Sequence, residues 1–105
     1  MRAGELNRRI TLEAPDPQVA SSGEETVQYV PVGQVWAKVE PARGGEGFSG
    51  IQRFAEVTHS FLLRYRSDVT PEWRVWYQGR SFDIVEVLEV GRRIGLKVLA
   101  TARSE

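Results

Sequence analysis

The sequence predicts an all-β fold, a small barrel or sandwich of about six antiparallel strands with a long glycine-rich loop and at most a short helix. Three observations carry this. Apolar and polar residues alternate with period two through most of the chain, the pattern of half-buried strands. Turn-forming residues interrupt that pattern at short intervals. No stretch longer than about two turns has amphipathic helical spacing. The 105 residues suit a single domain spanning 1–105, and closure into a barrel would hide strand edges that such a chain otherwise exposes.

The elements follow in order. Arg9, Thr11 and Glu13 alternate with Ile10 and Leu12, which predicts a first strand over 8–13. Residues 16–25 are polar and contain Pro17, Ser21, Ser22 and Gly23, a surface loop. Residues 26–32 are β-branched and aromatic, and Pro31 marks a strand that ends there or lies on an edge. After Gly33, Val35, Ala37 and Val39 point one way and Trp36, Lys38 and Glu40 the other. Residues 41–50 hold four glycines, which keeps a backbone mobile, and 51–54 can add a short helical turn.

The longest strand is expected over 55–65. Ala55, Val57, His59, Phe61, Leu63 and Tyr65 line its apolar face, and Leu62 is an exception on the polar one. After a loop at 67–72, strands over 73–77 and 80–90 flank Gln78-Gly79, a hairpin turn whose glycine can take positive φ. Within 80–90, Phe82 and Ile84 share one parity and Val85 and Val87 the other, so the strand has a β-bulge or is buried on both faces. Gly91 breaks the chain, and Ile94, Leu96, Val98 and Ala100 form the last strand.

Composition narrows the chemistry. Cysteine is absent, which removes disulfides, thiolate metal sites and cysteine nucleophiles. The N-terminal residues carry charge with no apolar segment after them, unlike a signal peptide. No apolar run nears the ~20 residues that span a bilayer, so no membrane partner is expected. Fourteen basic residues balance fourteen acidic ones, whereas a general nucleic-acid binder usually has a basic excess. All the basic residues except Lys38 and Lys97 are arginine, a residue favoured at protein interfaces.

Candidate sites for catalysis, cofactor or metal do not assemble. Gly45, Gly47 and Gly50 form a G-x-G-x-x-G, but a strand is expected where a dinucleotide fold needs its helix. His59, the single histidine, sits between Val57 and Phe61 and reads as a packed, hydrogen-bonded side chain. Glu24 and Glu25 are adjacent in a polar loop. Asp83, Glu86 and Glu89 have helical spacing inside a strand, so none of these carboxylates forms an acid–base pair. The chain is read as a non-enzyme with no cofactor. Arginines with exposed aromatics permit a barrel that binds single-stranded nucleic acid. Protein docking fits the neutral charge better, with Arg8, Arg9, Trp36, Arg64, Arg66, Trp76 and Arg80 as interface candidates.

The ordered segments Leu6-Asn7-Arg8-Arg9-Ile10-Thr11-Leu12, Val35-Trp36-Ala37-Lys38-Val39-Glu40-Pro41, Glu56-Val57-Thr58-His59, Leu63-Arg64-Tyr65-Arg66 and Arg74-Val75-Trp76-Tyr77-Gln78-Gly79-Arg80-Ser81-Phe82-Asp83-Ile84 resemble the head–tail adaptor, head-completion or stopper, proteins of long-tailed bacteriophages. That resemblance covers nearly the whole chain. It implies a ring of identical copies in the virion neck, below the portal or adaptor of the capsid, closing the DNA channel after packaging and offering a platform to tail proteins. DNA would be only the passing contents of the channel, and the chain would be made in the host bacterial cytoplasm.

The same resemblance assigns the channel and ring-interface loop to Pro41, Arg43, Gly44, Gly45, Glu46, Gly47, Phe48, Ser49, Gly50 and Arg53. A tail-terminator or tail-completion protein is the alternative within the same machine. Free phage, prophage and gene-transfer particle fit equally.

Overall fold

The structure, a computed structural model, describes residues 3–16, 28–42 and 57–103. Six strands close into an antiparallel barrel: β1 (Arg8–Pro15), β2 (Tyr29–Pro41), β3 (His59–Arg64), β4 (Arg74–Tyr77), β5 (Arg80–Val90) and β6 (Gly95–Ala102). Around the wall they run β1-β2-β3-β6-β5-β4. A short 3-10 turn over Ala3–Glu5 precedes β1, and no α-helix occurs among the described residues.

Alternating strand directions sort the connections between the two mouths. Residues 16–28, 65–73 and 91–94 connect strands at the first mouth. Residues 42–58 and the turn Gln78-Gly79 do so at the second. Since β3 and β4 are not neighbours, 65–73 crosses the first mouth and puts Val69, 8% exposed, into the core.

Period-two alternation produces that core. Ile10, Leu12, Ala37, Phe61, Leu63, Val75, Val98 and Ala100 point inward and are essentially inaccessible. Phe61 meets Phe82 edge-on, with ring centroids 5.2 Å apart, and Tyr77 at 6.0 Å, geometries that suit the ring quadrupoles. The hairpin at Gln78-Gly79 has φ of 51° and 73°. Both central residues are left-handed, as a tight hairpin that matches strand twist requires.

The parity switch in β5 is a bulge. Ile84 faces Ala100 and Glu86 faces Leu99, leaving Val85 as the extra residue. Val87 then returns inward opposite Val98 and packs on the core. Val85 turns outward against a second small cluster. There Leu99, on the outer parity of β6, is fully buried with Val57, and Ala42 packs beside them.

The structure differs from the sequence expectation in three places. The segments expected over 26–32 and 35–40 are one strand, β2, which begins at Tyr29 and runs through Pro31 and Gly33. A bulge makes this possible: Leu12 opposes Gly33 and Glu13 opposes Pro31, so Val32 is extra. From Tyr29 to Trp36, β2 has a ladder with β1 alone among the described residues, and a strand with one open edge is where proline is tolerated. Second, β3 is short and starts at His59. Val57 lies in the outer cluster and not on the inner face with Phe61. Third, the last strand starts at Gly95 and leaves Ile94 half-exposed in the turn.

Candidate functional site

The candidate surface forms where β2 meets its neighbours. On the outside of β2, Trp36 pairs across the ladder with Arg9 of β1. The Arg9 guanidinium lies 4.5 Å from the Trp36 ring centre, an attraction between cation and π-face. Arg9 Nη1 also reaches Gln34 Oε1 at 3.5 Å. The β2–β3 ladder ends at Ala37 opposite Leu63, so the next outward residue on the β3 side is Arg64, exposed at the strand end.

Arg64 and Arg66, with Trp36, Val35 and Leu6, line one open cleft of about 340 Å³. Arg66 is fixed by a two-pronged contact to Asp68, Nε to Oδ1 at 3.0 Å and Nη2 to Oδ2 at 2.9 Å. That hydrogen-bonded pairing holds the Asp68 carboxyl below its usual range and raises the guanidinium pKa. Among the described residues, Arg64 has no comparable side-chain partner.

Of the sequence candidates, the fold therefore assembles Arg9, Trp36, Arg64 and Arg66. Trp76, 42% exposed, lies on the other flank of β1, where it pairs with Thr11. Arg8 is exposed at the start of β1. Arg80 opens β5 at the second mouth, and with Gln78, Gly79 and Arg103 it lines a separate shallow depression. Pro41 ends β2 opposite His59. Arg43, Gly44, Gly45, Glu46, Gly47, Phe48, Ser49, Gly50 and Arg53 lie outside the described residues.

His59 occupies the inner rim of the second mouth. Its ring meets Phe82 edge-on at 4.8 Å, and its Nδ1 is 3.0 Å from Thr58 Oγ1. Burial first, and the charge of Arg80 second, push its pKa below the ordinary imidazole value. Thr58 is a staple. Its N–H donates to Ala100 O at 2.9 Å, and its carbonyl accepts from Ala42 N at 2.9 Å. Its hydroxyl accepts from Ala102 N at 2.9 Å. The two ends of the glycine-rich connection are thus tied to each other and to β6.

Sequence reasoning missed Leu6 and Val35 as cleft walls, because both carry inner parity and neither is polar. It also missed the cluster in which Arg74 Nε donates to Glu13 Oε1 at 2.7 Å while its guanidinium lies 4.1 Å from the Tyr29 ring centre. Opposite charges at outward positions of the first and fourth strands were its only signal.

Fold and surface together define a class: a small closed β-barrel whose distinctive side chains lie on the outer wall. Residues 1–103 match the phage head completion protein family, and the chain belongs to it. It is a structural protein of phage head completion.

The similar solved structures include the following two. Protein SF1141 from Shigella flexneri 2a superposes with a TM-score of 0.76 at 25% identity, covering 100% of this chain and 99% of its own. A chain in the virion of a native gene transfer agent particle superposes with a TM-score of 0.62 at 27% identity, covering 90% of this chain and 92% of its own. No curated protein matches the chain.

Proposed function

We propose that this chain is the head-closure subunit of a particle neck. Copies form a ring below the portal or adaptor, and residues 41–54 reach toward the ring axis to close the DNA channel once packaging is complete. The outer wall serves neighbouring copies and the tail, and the subunit acts by binding, without catalysis.

One observation carries this reading. The glycine-rich connection leaves the barrel from a closed base, where Ala42 N–H donates to Thr58 O and Thr58 in turn is bonded to β6. A projecting segment can change conformation without disturbing the wall when its base is fixed in this way. Glycine makes such rearrangement sterically inexpensive.

Deleting residues 43–50 tests the proposal. The variant folds with the same far-UV spectrum and is incorporated into particles, but filled heads lose their DNA before tails attach. Retention of packaged DNA by such heads contradicts the gating role. Particles assembled without tails provide a second test: the chain is present on full heads, and its confinement to tails would make it a tail-completion protein instead.

A further inference from the structure

β2 and β3 separate beyond Ala37 and Leu63. Past Leu63, β3 stays with β6, since the Tyr65 N–H donates to Ile94 O at 3.3 Å in the register of the β3–β6 ladder. From Tyr29 to Trp36, β2 consequently keeps its ladder with β1 and has none on the opposite side among the described residues. An extended edge of this kind offers N–H and C=O groups to an incoming strand, except at Pro31, which has no N–H to give. Val30, Val32 and Trp36 on this stretch are 40%, 43% and 50% exposed.

The cleft lies beside that edge. Leu6, Val35 and Trp36 make its apolar surface, and Arg64 and Arg66 supply cations. Its volume, about 340 Å³, is at the small end of ligand pockets and accommodates one large side chain or two small ones. Asp68 is already engaged by Arg66. In a chain of zero net charge, this corner therefore carries a local positive excess with an aromatic wall.

We infer that the open edge of β2 and the cleft together bind an extended acidic segment of another protein by strand addition. The segment's backbone pairs with β2, one apolar side chain enters between Val35 and Trp36, and a carboxylate meets Arg64. Alternating backbone donors and acceptors suit a peptide and not a run of phosphates, and charge complementarity selects carboxylates over lysines. This surface is built from other residues than 41–54 and operates whether or not the chain closes a channel.

Selection of a random linear decapeptide library on the full-length protein tests this. Enriched peptides alternate Asp or Glu with apolar residues. An enriched peptide slows amide hydrogen exchange across residues 29–36, and Arg64→Glu weakens its binding by at least about tenfold. Arg64→Ala gives a smaller loss in the same direction, which separates charge from misfolding. Arg80→Glu, whose side chain does not line the cleft, leaves affinity within about twofold.

A selection that yields basic peptides or no consensus overturns the inference. So does protection confined to another strand, or equal competition by a single-stranded oligonucleotide. Concentration-dependent protection of 29–36 in the protein alone would assign the edge to a second copy of this chain instead.

Discussion

β6 and the first half of β2 are both extended, apolar-rich chain, yet they have opposite fates. β6 has a ladder on each side, with β3 and with β5, and Leu96, Val98, Leu99 and Ala100 are buried on both of its faces. The first half of β2 has one ladder among the described residues, and Val30, Val32 and Trp36 are 40–50% exposed. The difference lies in the number of neighbours, not in β-propensity. Strands paired twice hold the barrel together. The strand that leaves the cylinder supplies surface, and there a bulge, a proline and a tryptophan cost little.

The comparison predicts unequal sensitivity. The largest effect belongs to the β3–β6 wall. Phe61 is 0% exposed and touches the rings of Phe82 and Tyr77. Phe61→Ala therefore costs about 3–5 kcal/mol in urea unfolding, from lost burial plus the cavity left behind. A loss below about 1 kcal/mol would mean that this wall is not the stabilising half.

The next effect tests the seam that closes the barrel. β1 and β4 pair over Thr11–Glu13 and Arg74–Trp76 alone, and the Glu13–Arg74 contact of 2.7 Å spans that join. Arg74 is only 21% exposed in its side chain, and Glu13 16%, so water replaces the contact poorly. Arg74→Ala costs about 1.5–3 kcal/mol, the range for a hydrogen bond to a charged group. Glu13→Gln costs less because a hydrogen bond survives. Equal losses in the two variants would show that charge and not the bond holds the seam.

Much of the barrel wall was legible because one face of each strand is buried and period two then fixes which side chains point inward. Phe61, Leu63, Val35, Ala37 and Val39 follow directly, and the mismatch of Ile84 with Val85 and Val87 indicated the bulge. The continuity of β2 was not legible. Pro31 was compatible with a strand end or an edge and Gly33 with a break, and only the tertiary arrangement, in which β2 has no second ladder there among the described residues, selects the edge.

Val57 was misplaced for a similar reason: it leaves the alternation where Thr58 is captured by Ala42, Ala100 and Ala102. Trp36 and the arginines were visible as candidates. Their assembly into one cleft depends on the Ala37–Leu63 register, which no local pattern specifies.

On the exposed half of β2 the expected effect on stability is small. Trp36→Ala removes the cation–π contact with Arg9 and costs about 0.5–1 kcal/mol, well below the loss at Phe61. Thermal unfolding of the two variants side by side checks the contrast. A loss at Trp36 rivalling that at Phe61 would make this strand half a part of the core and end the comparison.

The smallest effect, and the most specific, concerns His59 at the second mouth. Its pKa in the fold lies below its ordinary value of 6.5 because burial and Arg80 disfavour the imidazolium. The unfolded chain therefore binds a proton first as pH falls through about 6.5, and stability declines across the interval down to the folded value, then levels once both states are protonated. The Asp68 pKa is lowered as well, by its hydrogen bond with Arg66, and stability linked to it is likewise lost as pH falls, but only below its ordinary 3.8. The urea midpoint falls modestly between about pH 7.5 and about pH 5. His59→Gln abolishes that slope, and Arg80→Gln reduces it by removing the lesser of the two causes. An unchanged slope in His59→Gln would place the titrating group elsewhere and leave the second mouth as insensitive to acid as the wall behind it.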